Sequence, residues 1–170
     1  MPLNSNRLGI ADALVALAAG IQNPNTNQPV YQGVKLGSIF NPTNWMEWCE
    51  ITFYQGKGGP EGSGGAQIGW RVGDDVTYQM TSGFGPYETD STASERAMLT
   101  AHDIVLPTLR KHFQLPDASN PTVAVQSAYS VLLEQVDRAK PVKFPNGHVY
   151  KLWDVFITVK QGYNVELAQP

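Results

Sequence analysis

Leu8, Ala11, Leu14, Val15, Ala18 and Ile21 recur at spacings of three and four, which gathers them along one stripe of a helix. Asn4, Ser5 and Asn6 stand before that stripe as candidate caps, and Gly20 is placed to end it. A polar stretch over 23–29 reads as a surface loop. Strand patterning follows over 30–36 and more strongly over 45–54. There Trp45, Glu47, Cys49, Ile51 and Phe53 alternate with Met46, Trp48, Glu50, Thr52 and Tyr54. Aromatic side chains fall on both faces, as in a strand that is central in its sheet or covered by a neighbouring subunit.

Residues 56–67 hold six glycines together with Lys57, Pro60, Glu61 and Ser63. Large backbone entropy and little apolar area predict a flexible loop or arm there. The next strand pattern covers 68–80, with Gly73-Asp74-Asp75 predicting a bend or bulge, and Gly83-Phe84-Gly85-Pro86-Tyr87 leading the chain out of the sheet. Thr92 followed by Glu95 matches a capping box, and Met98, Ala101, Val105, Leu109 and Phe113 continue the helix on one face. Pro107 removes one helical hydrogen bond, predicting a kink near 103–106 or a break, and Pro116 ends the helix. Strand patterning resumes over 129–136 and again over 149–167. The intervening Asn146-Gly147 predicts a hairpin with a type I′ turn, because both residues accept positive φ.

The elements therefore run helix, strands, long helix, strands. Hairpin signals outnumber crossover signals, so the expected class is α+β: an antiparallel or mixed β-sheet with the long helix and the N-terminal helix packed on one face. The 170 residues suit a single domain, 1–170, with its flexible glycine-rich loop at 56–67.

Charged residues make up 16% of the chain, below the roughly 25% usual for soluble domains. A surface so poor in charge hints at assembly. The net charge of −3 carries no basic cluster, so wrapping nucleic acid is not expected. A single cysteine, Cys49, in an apolar run reads as a buried, inert thiol and suits a reducing cytoplasm. Asp12 interrupts the apolar segment 8–21, which fits a buried helix better than a secretory signal, and no run is long enough to span a membrane.

Candidate chemistry is sparse. Gln55-Gly56-Lys57-Gly58 lacks the upstream glycine and the Ser or Thr of a phosphate loop. His102, His112 and His148 have no partner at a metal-ligand spacing, and no serine stands in a nucleophile elbow. Asn41 and Asn120 are each followed by proline, which forbids glycosylation. No enzyme activity, cofactor or metal is expected.

The order of an amphipathic first helix, an aromatic strand pair with a glycine-rich loop, one long helix and a closing hairpin resembles the tail-terminator, or tail-completion, proteins of long-tailed bacteriophages. The run from Leu152 through Trp153, Asp154, Val155, Phe156 and Ile157 to Leu167 is similar to the endings of small phage neck and tail proteins. The resemblance implies a structural virion protein in the tail or neck, assembled in the host cytoplasm. It would form a homohexameric ring at the head-proximal end of the tail, ending the tail tube and joining it to the head connector or stopper protein. DNA would pass through the lumen without specific binding, and no membrane would be involved. Trp45, Trp48, Tyr54, Lys57 and Glu61 are then candidate assembly contacts, and Asp74 and Asp75 candidate lumen-lining carboxylates. Another neck or tube component remains an alternative. So does a small-ligand-binding or hydrolytic α+β domain with the aromatic strand lining a pocket.

Overall fold

The computed structural model describes residues 7–39, 42, 46–61, 70–111, 115–120, 128–136 and 140–165. Side chains are described throughout these except at 57–61, 70–74, 128–131, 134–136, 140 and 161–165. Helix α1 spans Arg7–Ala19 and α2 spans Thr92–Lys111; the strands are β1 Gly33–Leu36, β2 Glu47–Glu61, β3 Trp70–Tyr87, β4 Ala128–Val136, β5 Lys140–Lys143 and β6 Val149–Val165. They form one mixed sheet in the order β1-β2-β3-β6-β4, with β5 also beside β6. Only β1 pairs in parallel; every other contact is antiparallel. The class is α+β, as expected. β4 and β5 lie along the same side of β6, the first against 155–161 and the second against 149–152, so together they make one interrupted edge.

Period-two alternation sorts the strand residues. Cys49 and Ile51 of β2, Val76, Tyr78, Met80 and Phe84 of β3, and Trp153, Val155, Ile157 and Val159 of β6 are buried together under the two helices. Helix α1 lies over β1 and β2, and α2 over β3, β6 and β4. Two side-chain bonds tie this layer down: Tyr78 donates its hydroxyl to the Arg7 carbonyl at 2.6 Å, and the Tyr31 and Ser82 hydroxyls share a bond of 2.7 Å. Leu8, placed on the buried stripe by its spacing, is 66% exposed. Ile10 leads the buried series instead, followed at helical spacing by Leu14 and Ala18.

The start of α2 differs from a capping box. Asp90 accepts both the Thr92 amide, at 2.8 Å, and the Thr92 hydroxyl, at 2.6 Å, while Glu95 reaches Lys151 on β6. A carboxylate one residue before Ser91 thus takes the capping role, and Glu95 is drawn to a cation on the sheet. Pro107 does not break α2, which runs on to Lys111. The proline is exposed, and the carbonyl of Asp103 that loses its partner belongs to a residue whose side chain is 86% exposed, so water can satisfy it.

Three further expectations are corrected by the ladder. Residues 56–61 are strand, paired with 71–76, and residues 62–69 lie outside those described. No bulge occurs at Gly73-Asp74-Asp75; the one register shift between β2 and β3 falls between Phe53 and Gln55. β3 also continues to Tyr87, which pairs with Val149. Glycine in the sequence suggested loop, but two-sided pairing supplies the ladder bonds that override its weak strand preference. Finally, the β5–β6 turn is not type I′. Gly147 donates to the Phe144 carbonyl at 2.9 Å, which puts Pro145 in the first central position, where its ring holds φ near −65°. Only Gly147, at φ +87°, takes the left-handed conformation, as in a type I turn with a bulge.

A second, smaller cluster closes one end of the opposite sheet face. Trp48 lies flat over Gly83, with Phe144 and Tyr150 edge-on at 5.7 and 5.9 Å and Ile39 beside it. A Cβ at Gly83 would stand 2.1 Å from the indole. Gly83→Ala is therefore expected to lower stability by about 1–3 kcal/mol through overpacking, read as a reduced urea midpoint. An unchanged midpoint would show that Trp48 is free to move.

Candidate assembly surface

The helix-free face of the sheet is built in cross-strand rows. Beyond the Trp48 cluster the first row is Glu50, Thr81 and Asp154, contributed in register by β2, β3 and β6. Thr81 donates to Asp154 at 2.7 Å, and both residues are buried. Glu50 accepts the Ile39 amide at 2.6 Å, and Tyr150 donates to the Pro42 carbonyl at 3.0 Å. The chain between β1 and β2 is thereby pinned over this end of the face. Burial pushes the Glu50 carboxyl up; the Ile39 N–H opposes that, and the charge of Asp154 adds to it.

The next row is Thr52, Gln79 and Phe156, with Tyr54 edge-on to Phe156 at 4.9 Å. Then the buried hydroxyls of Thr77 and Thr158 share a bond of 2.7 Å. Farther along, register sets Lys57, Asp75 and Lys160 side by side on the three strands.

The predicted contact residues separate on this surface. Tyr54 is 54% exposed and available to a partner. Trp48, at 1% exposure, is not; the turn after β5 and the chain at Ile39 cover it, so it belongs to the core rather than to an interface. Trp45 lies outside the described residues, as does His112. Lys57 and Glu61 lie on the β2 backbone opposite Asp75 and Arg71, with their side chains outside the description. Asp74 and Asp75 are consecutive in an unbroken ladder, and of the two only the Asp75 side chain is described. Phe53, 53% exposed, lies on the helix side with the Arg7 guanidinium 5.6 Å from its ring.

Among the described residues both edges of the sheet are open. β1 covers β2 only over 48–51, and the Gly37 amide adds a last bond to the Ile51 carbonyl at 2.9 Å. Among the described residues no strand flanks the outer side of β2 over 52–61, nor the outer side of β4. Pro60 stands on that open side of β2, a position where a missing N–H is tolerated.

The row of half-buried Glu50 and buried Thr81 and Asp154 escapes pattern reading because each residue alone looks like the solvent side of a strand. The one available hint is Asp154, set between Trp153 and Val155 in an otherwise apolar run. Cys49 is fully buried, and desolvation pushes its thiol far above the reactive range. His102 and Asp103 approach within 3.7 Å at the surface, and the His102 ring also leans on Trp153 at 5.1 Å. Among the described residues no group of three or more His, Cys, Asp or Glu side chains is placed to hold a metal ion, and no helix is long and apolar enough to cross a membrane. No protein-family model matches this chain, and no curated protein matches it.

Glu50 gives the surface a pH signature. The folded protein keeps a proton on this carboxyl at pH values where the unfolded chain, near 4.5, has lost it, so its contribution to stability falls as pH rises through that window. Glu50→Gln retains an acceptor for Ile39 and cannot ionise. The variant is expected to match or exceed the wild type in urea stability at neutral pH, with the margin shrinking as the pH approaches 4.5. A variant less stable at neutral pH and recovering in acid would contradict this.

Proposed function

We propose that the chain is a structural virion protein that forms a ring at the head-proximal end of a bacteriophage tail, ending the tail tube and joining it to the head connector or stopper. The observation that carries this reading is the pair of open, unlike sheet edges. β3 is antiparallel to both β2 and β6, and β4 is antiparallel to β6, so β4 runs against the direction of β2. A second copy, rotated about an axis roughly along the strands, can lay the outer side of its β2 antiparallel to β4 of the first and continue the same ladder. The lengths suit each other: β4 has nine residues, and the open part of β2 covers 52–61.

Unlike edges make a head-to-tail contact, which yields a ring when the rotation closes, here with six copies. Closure would also remove two edges that otherwise invite uncontrolled pairing. The exposed Tyr54 and Leu132 stand on or next to these edges and add apolar area to the contact. Of the two lumen candidates, Asp75 is retained, in the cross-strand row with Lys160, while the Asp74 side chain lies outside the description. Asp75 and Lys160, opposite each other in register, place both signs on this surface, which neither binds phosphate strongly nor repels it. The partners are further copies of this chain, the tail tube protein, the connector or stopper, and passing DNA.

Native mass spectrometry is expected to show closed hexamers, and Leu132→Lys, a charge on an exposed edge position, is expected to leave a folded monomer. Immunogold labelling of particles with antibody to this chain is expected at the junction of head and tail. A wild-type monomer at every concentration, or label confined to the tail shaft or tip, would overturn the reading.

A further inference from the structure

On the helix side of the sheet, away from both open edges, two cavities of about 250 and about 320 Å³ meet at Glu47 and Ala97, which line both. One wall is the face of α2 from Ala93 to Ile104; the other is made by the 23–30 loop and by Gly85–Tyr87. We propose that this cleft binds a partner polypeptide through one basic side chain, arginine or lysine, whose cationic head is received by the Glu47 carboxylate and the Ser94 hydroxyl.

The chemistry is read from what these two groups lack. Glu47 is half-buried, and its carboxylate has no hydrogen bond or ion pair among the described residues. The cation in its cross-strand row, Lys151, lies beyond Phe84 and is engaged by Glu95 on α2. Ser94 is 94% buried, being 6% exposed, and lines the same cleft, and its hydroxyl likewise has no partner among the described residues. A half-buried carboxylate and an unused hydroxyl lining one cleft make a site that a cationic donor completes. Asp90 at the mouth adds a second negative charge, and the remaining lining, such as Ala97, Thr100 and Gln28, is neutral. Desolvation raises the Glu47 carboxyl, the expected condition of an acid whose counter-charge is missing.

The shape favours a peptide over a free amine. Ala93 to Ile104 covers about 16 Å of helix, the length of roughly five extended residues. Ala93, Ala97 and Ala101 keep that wall low, so a backbone can lie along it with one long side chain directed at Glu47. The cleft is the same whether or not copies of the chain form a ring, and a failure of either reading leaves the other standing.

The test is titration of the isotope-labelled protein with a short alanine peptide carrying one central arginine, followed by amide chemical shifts. Parallel titrations use the same peptide with citrulline, which keeps the shape and loses the charge, and arginine amide alone. Shifts are expected at Ser94, Ala97, Thr100 and Gly85, with the citrulline peptide at least about tenfold weaker, and with Glu47→Gln abolishing the preference while Tyr54→Ala leaves it intact. Equal binding of the citrulline peptide, shifts located elsewhere, or none up to about 10 mM would overturn the proposal. Arginine amide binding as tightly as the peptide would overturn the polypeptide partner. The comparison of arginine with citrulline uses the unaltered protein and holds whether or not Glu47→Gln folds.

Discussion

Everything in this fold depends on one ladder, β2-β3-β6, whose period-two alternation obliges each strand to furnish two different faces. Odd positions of β2 and β6 and even positions of β3 supply the apolar layer beneath the helices. The intervening positions supply threonines, glutamine and carboxylates whose hydroxyls and oxygens pair across strands. A one-residue slip of β6 would move Val155, Ile157 and Val159 to the polar side and Asp154 and Thr158 beneath the helices. Register is thus fixed from both sides: by burial on one face and by hydrogen-bond pairing on the other.

The ladder also runs on beyond the described core. Val76 and Val159 are the last buried apolar residues toward the glycine-rich end among those whose side chains are described, and pairing continues to Trp70 and Val165. Six further residues of strand project roughly 20 Å. Among the described residues no strand pairs with the outer side of β2 along this extension. In a ring it becomes a surface shared among copies, and the proposed head-to-tail contact gives the free side of β2 a partner along much of that length.

Much of this was legible in the residues. The two helices, the alternation of 45–54, the closing strands and the inert cysteine follow from spacing and side-chain type alone. What escaped depended on partners distant in sequence. Residues 56–61 read as loop because glycine is a poor strand former by itself, and only pairing with 71–76 makes them strand. Trp48 read as an interface residue because nothing local shows that Phe144 and Tyr150, about a hundred residues on, cover it. Glu95 read as a cap because Lys151 is invisible from the helix. The Glu47 cleft was missed for the same reason: Glu47 and Ser94 become neighbours only when α2 folds back over the sheet.

The central claim is that copies of this chain join by extending one another's sheet. Amide hydrogen exchange, compared between dilute subunits and the assembled state, tests it most directly, because it reads backbone pairing itself. The account predicts new protection over 52–59 and 128–136, with 76–82, already paired on both sides, unchanged. Assembly that protects the helices or the β5–β6 turn while both edges go on exchanging freely would contradict it.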